Sequence, residues 1–211
     1  MINDESKLHI GIDFDNTIIH YDDLFYKYAL IDGFIRPETA RSKNAIREYL
    51  WSLPEGNEKW IYLQVVVYGE RMEEATFKEG AFEFIKNCRR NDIKVSIISH
   101  KTEFDNLGKG INLRNVALDW MRNNGFFSSS GLGLSEDNVF FESTRQEKIY
   151  RIITQGCTHF IDDLIEIFLE DVFPKEVKKI YYNPDGFDEN KLDDLIGFRR
   201  WDEIYAYFFN Q

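Results

Sequence analysis

The chain has 211 residues, 43% hydrophobic and 16% aromatic, enough for one sizeable core with a modest insertion and too apolar for a disordered chain. A formal net charge of -11 with no basic block to offset it excludes nucleic acid and anionic membrane surfaces as partners. The two cysteines, Cys88 and Cys157, fall in no C-x-x-C or zinc spacing and read as core thiols of a protein in a reducing compartment.

The first residues, MINDESK, are polar and contain no apolar leader segment. The richest apolar run, IYLQVVVY (61–68), falls far short of a bilayer span, so a soluble cytoplasmic protein is expected. Residues 7–14 predict a strand from their apolar and β-branched content. It runs into LHIGIDFDNTI (8–18) and ends in two aspartates, Asp13 and Asp15. Desolvating carboxylates there is costly unless they cap the next element or hold a cation. Residues 20–78 switch to helical spacing and predict three helices, with Pro37 in the first turn of the second and SLPEGNE as the loop before the third.

From residue 79 the pattern alternates. Helix EGAFEFIKNCRRND leads to strand IKVSIIS (93–99), then helix NLRNVALDWMRNNG, strand NVFFES, helix RQEKIYRIITQG and strand THFIDD. Helix LIEIFLED, strand KKIYYN and a closing helix WDEIYAYFF complete the chain. Strands alternating with helices predict an α/β fold with a doubly wound parallel sheet, whose ligands bind at the carboxyl ends of the strands. Three predicted strands end in polar residues: Asp13 and Asp15, Ser99, and Asp162 and Asp163. If those strands are neighbours, four carboxylates and a hydroxyl converge. An all-oxygen set without nearby His or Cys suits a hard divalent cation, Mg²⁺ above all.

DFDNT (13–17), SIIS (96–99), Lys148 and FIDD (160–163), in that order, resemble the four motifs of the haloacid dehalogenase (HAD) superfamily. The resemblance implies a Rossmann-like core, residues 1–18 and 79–211, with an α-helical cap inserted over residues 19–78. It implies a phosphatase in which Asp13 is the nucleophile and Asp15 the general acid and base. Mg²⁺ would be held by Asp13, the Asp15 carbonyl, Asp162 and Asp163, although Asp163 also suits a capping role. Phosphate would be bound by Ser99, Lys148 and His100, with Arg145 the competing cation for the role of Lys148. His100 and Lys101 follow Ser99 and would line the mouth of the crevice, with Lys101 facing substrate. The Gly-containing loop that follows (101–114) would close over it or serve only as a connection. His20, Tyr21, Asp22 and Asp23 open the cap and would face substrate, although Asp22 or Asp23 also suits a helix N-cap.

The expected substrate is a small phosphorylated metabolite: a sugar, polyol or amino-alcohol phosphate. FIDD and SHK are also similar to segments of bacterial phosphatases associated with surface-polysaccharide precursor synthesis. A phosphomutase, a nucleoside monophosphate phosphatase and a non-catalytic phosphate-sensing domain are the alternatives. The presence of Asp15 disfavours a dehalogenase, which needs no leaving-group acid.

Overall fold

The computed structural model describes residues 7–188 and 194–210; the reading of the first six residues as free of a leader lies outside them. The described chain divides into two compact units.

The first unit takes the residues up to Ile18, Phe77–Lys101, and those from Asn124 onward. Its centre is a sheet of six parallel strands: β1 (His9–Ile12), β4 (Lys94–His100), β5 (Val139–Glu142), β6 (His159–Asp162), β7 (Lys178–Tyr182) and β8 (Leu195–Phe198). The spatial order is β5-β4-β1-β6-β7-β8, with sequence numbers β2 and β3 belonging to two-residue strands, Ile19–His20 and Thr76–Phe77. β1 is buried along its whole length, and parallel strands covered on both faces require such continuous apolar runs. At Gly11 the Phe160 ring and the Cys157 sulfur approach so closely that a Cβ would meet them at 2.6 and 2.9 Å. Glycine is therefore required there by packing.

Helices α4 (Ala81–Arg90), α6 (Arg145–Thr154), α7 (Ile165–Phe168) and α8 (Trp201–Phe209) belong to this unit. α6 starts at a capping box, in which Thr144 Oγ1 accepts from the Glu147 N–H and the Glu147 carboxylate accepts from the Thr144 N–H. It buries Ile149 and Ile152 with Ile98, Phe160 and Phe168, while Trp201 and Phe84 pack together with their ring centroids 5.2 Å apart. Burying each such side chain contributes roughly 1.5–3 kcal/mol. Cys88 and Cys157 are both buried and free, and burial pushes each thiol up to about 12. β8 has no counterpart among the predicted strands. Its four residues, LIGF, follow a polar acidic stretch and include a glycine, so they give little strand signal.

The second unit takes residues Ile19–Thr76 and, in addition, Thr102–Asn123. It contains α1 (Asp22–Ile31), α2 (Lys43–Trp51), α3 (Gly56–Val65) and α5 (Leu113–Asn123). α3 passes into a π-helical turn, Val66–Glu70, and then a 3₁₀ turn, Met72–Glu74. Against the expectation that residues 79–211 form one core, α5 packs on those turns. Leu113, Ala117, Trp120 and Met121 form its buried face, and Trp120 Nε1 donates to the Ala75 carbonyl at 3.0 Å. α2 begins at Lys43 rather than near Pro37, because Ser42 supplies the cap by accepting from the Ala45 N–H. The loop of residues 102–112 is tied by Asp105, whose carboxylate accepts from the N–H groups of Leu107, Lys109 and Ile111. No helix among the described residues is long and apolar enough to cross a membrane.

Candidate active site

β1 lies between β4 and β6, so the carboxyl ends of the three strands that end in polar residues are adjacent. Pairing continues one residue past β1, where the Asp13 N–H donates to the Ile161 carbonyl at 2.9 Å. That bond seats Asp13 beside Asp162. Asn16 then adopts a left-handed backbone, with φ 65°, a conformation asparagine tolerates, and turns the chain directly after Asp15.

The Lys148 ammonium joins the two carboxylates. Its Nζ lies 2.6 Å from Asp13 Oδ1 and 2.6 Å from Asp162 Oδ2, and all three side chains are almost wholly buried. Burial alone lowers the pKa of a lysine, but the two carboxylates outweigh it and hold Lys148 above its ordinary value. Burial raises Asp162 well above the usual carboxylate range, with Lys148 opposing and Asp13 reinforcing the shift. Asp162 Oδ1 also accepts from the Leu164 N–H at 2.9 Å.

Asp163 completes a group of three carboxylates, with Asp13 and Asp162, whose oxygens lie within 4.8 Å of one another. Its Oδ1 accepts from Thr17 Oγ1 at 3.1 Å. Three carboxylates and one ammonium leave two formal negative charges, which a divalent cation would balance, and the all-oxygen donor set fits Mg²⁺.

Ser99, 1% exposed at the end of β4, has a buried hydroxyl oxygen without a hydrogen-bond partner. Lys101 is 5% exposed, and its Nζ lies 2.7 Å from Asp15 Oδ2. His100 is set apart, since alternation along the strand turns its ring away from the Ser99 and Lys101 side. There, exposed, its Nε2 lies 3.0 Å from the Ser143 carbonyl oxygen. That carbonyl takes up one nitrogen of the ring that was expected to bind phosphate. Arg145 opens α6, three residues before the buried Lys148.

Of the residues expected to face substrate, Tyr21 is buried, edge-on to Tyr68 at a centroid distance of 4.9 Å. Asp22 Oδ1 accepts from the Lys43 N–H at the start of α2, at 2.9 Å. His20 has ring nitrogens 3.7 Å from Asp22 Oδ2 and 3.3 Å from Asp23 Oδ2. All of these partners lie within the helical unit. The contact that sequence reasoning missed is Lys101 with Asp15. The signal for it was the two-residue step from Ser99, which places both side chains on one side of a strand.

No family model matches this sequence, and no curated protein matches it. Solved structures do match in fold. The HAD hydrolase YfnB of Bacillus subtilis, bound to magnesium, is 14% identical, with 96% of this chain and 99% of that chain covered and a TM-score of 0.58. A HAD family hydrolase of Deinococcus radiodurans with bound phosphate and sodium is 12% identical, with 96% and 95% covered and a TM-score of 0.59. The chain has the HAD fold. Protein tyrosine kinase A of Mycobacterium tuberculosis matches as well, at 14% identity, 97% and 99% coverage and a TM-score of 0.62. The HAD fold alone therefore does not choose a reaction, and the site residues must.

Proposed function

We propose that this protein is an Mg²⁺-dependent phosphatase that hydrolyses a small phosphomonoester through an aspartyl-phosphate. The observation that carries this reading is the buried Asp13–Lys148–Asp162 cluster at the ends of adjacent parallel strands. A partnerless Ser99 hydroxyl on the neighbouring strand end adds to it.

The Asp13 carboxylate attacks phosphorus while the bond from phosphorus to the leaving alcohol breaks, and Asp15 gives the departing oxygen its proton. Water then attacks the phosphorus of the aspartyl-phosphate and loses a proton to Asp15, and cleavage of the bond to Asp13 releases inorganic phosphate. Lys148 holds Asp13 in place and offsets negative charge around the phosphoryl group. Ser99 donates its hydroxyl proton to a phosphoryl oxygen. Mg²⁺, held by Asp13, Asp162, the Asp15 carbonyl and Asp163, would supply the remaining charge neutralisation between the carboxylate and the phosphoryl dianion. Sugar, polyol and amino-alcohol phosphates are the proposed substrate class.

A panel of phosphomonoesters, assayed for released inorganic phosphate, tests the reading. Activity should appear on at least one member with Mg²⁺, vanish in excess chelator and return with Mg²⁺, with Ca²⁺ a poor substitute because of its larger, looser coordination. Full turnover in chelator would overturn the metal requirement, and transfer of phosphate back to a sugar without release would indicate a mutase.

A further inference from the structure

Lys101 was expected to touch substrate, yet it is committed elsewhere. Its Nζ lies 2.7 Å from Asp15 Oδ2, and its side chain is only 4% exposed. Its own backbone is fixed as well, because the Lys101 N–H donates to the Glu142 carbonyl at 2.9 Å, continuing the pairing of β4 with β5 by one residue. Asp15, in contrast, sits past the end of β1, next to the left-handed turn at Asn16, and its side chain is 19% exposed. A solvated ion pair contributes little because both chains are free to move and water screens them. A buried lysine with a carboxylate at contact distance keeps that geometry, since releasing it would leave a desolvated charge behind.

From this we infer that Lys101 is the positioning residue of Asp15, tying one of its carboxylate oxygens to the rigid end of β4 so that proton transfer to the leaving group occurs at the right place. The inference rests on the phosphatase reading above. General acid catalysis requires the acid within hydrogen-bond reach of the departing oxygen, and a misplacement of about 1 Å costs on the order of 10²-fold in rate. Losing the tether should therefore harm the substrates whose leaving group needs a proton and spare those whose leaving group does not.

The test compares wild type, Lys101→Met, Lys101→Arg, Asp15→Asn and the Lys101→Met/Asp15→Asn double variant on two substrates: the best alkyl phosphomonoester from the panel and p-nitrophenyl phosphate. Lys101→Met should lose about 10²-fold in single-turnover phosphorylation on the alkyl ester, less than about tenfold on the aryl ester, and should shift KM by less than about threefold. Lys101→Arg should recover at least about tenfold of the alkyl loss, and in the Asp15→Asn background Lys101→Met should add less than about threefold. The ratio of the two substrates is internal to each preparation, so a partly misfolded variant does not distort it. Equal losses on both esters, full additivity in the double variant, or a raised KM with weakened inhibition by inorganic phosphate would overturn the inference, the last by making Lys101 a phosphate ligand. Wild-type protein inactive on every ester would remove the phosphatase reading and the inference with it; active wild type matched by Lys101→Met would remove the inference alone.

Discussion

A buried hydroxyl that makes no hydrogen bond is unfavourable in the free protein, and Ser99 carries one at the end of β4. Leaving such a group unsatisfied costs roughly 1–3 kcal/mol, so its removal should not destabilise the fold. Ser99→Ala is expected to unfold in urea at the same concentration as wild type or a higher one, while its KM for the best phosphomonoester rises about tenfold. A destabilised variant with unchanged KM would mean that Ser99 serves packing instead of phosphate. Asp13, Asp15, Ser99 and Asp162 were legible as candidates because each sits at a strand end where apolar patterning breaks, whereas Lys148, inside α6, was singled out by the motif resemblance alone. What was not legible is pairing across the sheet: the contact of Lys101 with Asp15 joins residues 86 positions apart, a separation read from their numbers. His100 shows the opposite failure, in which nearness in sequence to Ser99 suggested a shared role that strand alternation prevents.

At the level of elements, the strand starts hold a second polar layer, far from the carboxylates. His9 is buried on β1 with Nε2 2.9 Å from Ser96 Oγ, and burial, with the Lys94 ammonium, pushes its imidazole down to about 4. His159 on β6 is likewise lowered to about 4 by burial and then by Lys178. The unfolded chain binds these protons near pH 6.5 and the folded chain only near pH 4. Stability from these groups is therefore complete above about pH 6.5, falls as pH drops through that window, and changes no further below about pH 4. For His9 the loss is on the order of 3 kcal/mol. Urea midpoints measured between pH 7.5 and 5 should fall in wild type and fall less in His9→Gln; parallel slopes would show that His9 is not the group responsible. Amphipathic elements such as α4, α6 and α8 were readable because their apolar spacing is helical. The four-residue β8 and the late start of α2 were not, since a short Gly-containing strand and a proline-led turn carry weak local signals.

Over the whole molecule, the net charge of -11 contrasts with a site where two lysines are buried among aspartates, so surface charge says little about the pocket. The parallel sheet was legible from alternating strands and helices, and its order β5-β4-β1-β6-β7-β8 brings the motif-bearing strand ends together. The division into units was only partly legible. α5 was read with the sheet because it follows β4 in sequence, yet its buried face around Trp120 belongs with the helical unit. The central claim is that Asp13 is the nucleophile, and the most direct measurement is the rate of phosphate release by Asp13→Asn on the best phosphomonoester with saturating Mg²⁺. An amide of nearly the same shape cannot form the acyl phosphate, so turnover should fall by at least about 10³-fold while the fold remains intact; turnover within about tenfold of wild type would contradict the account.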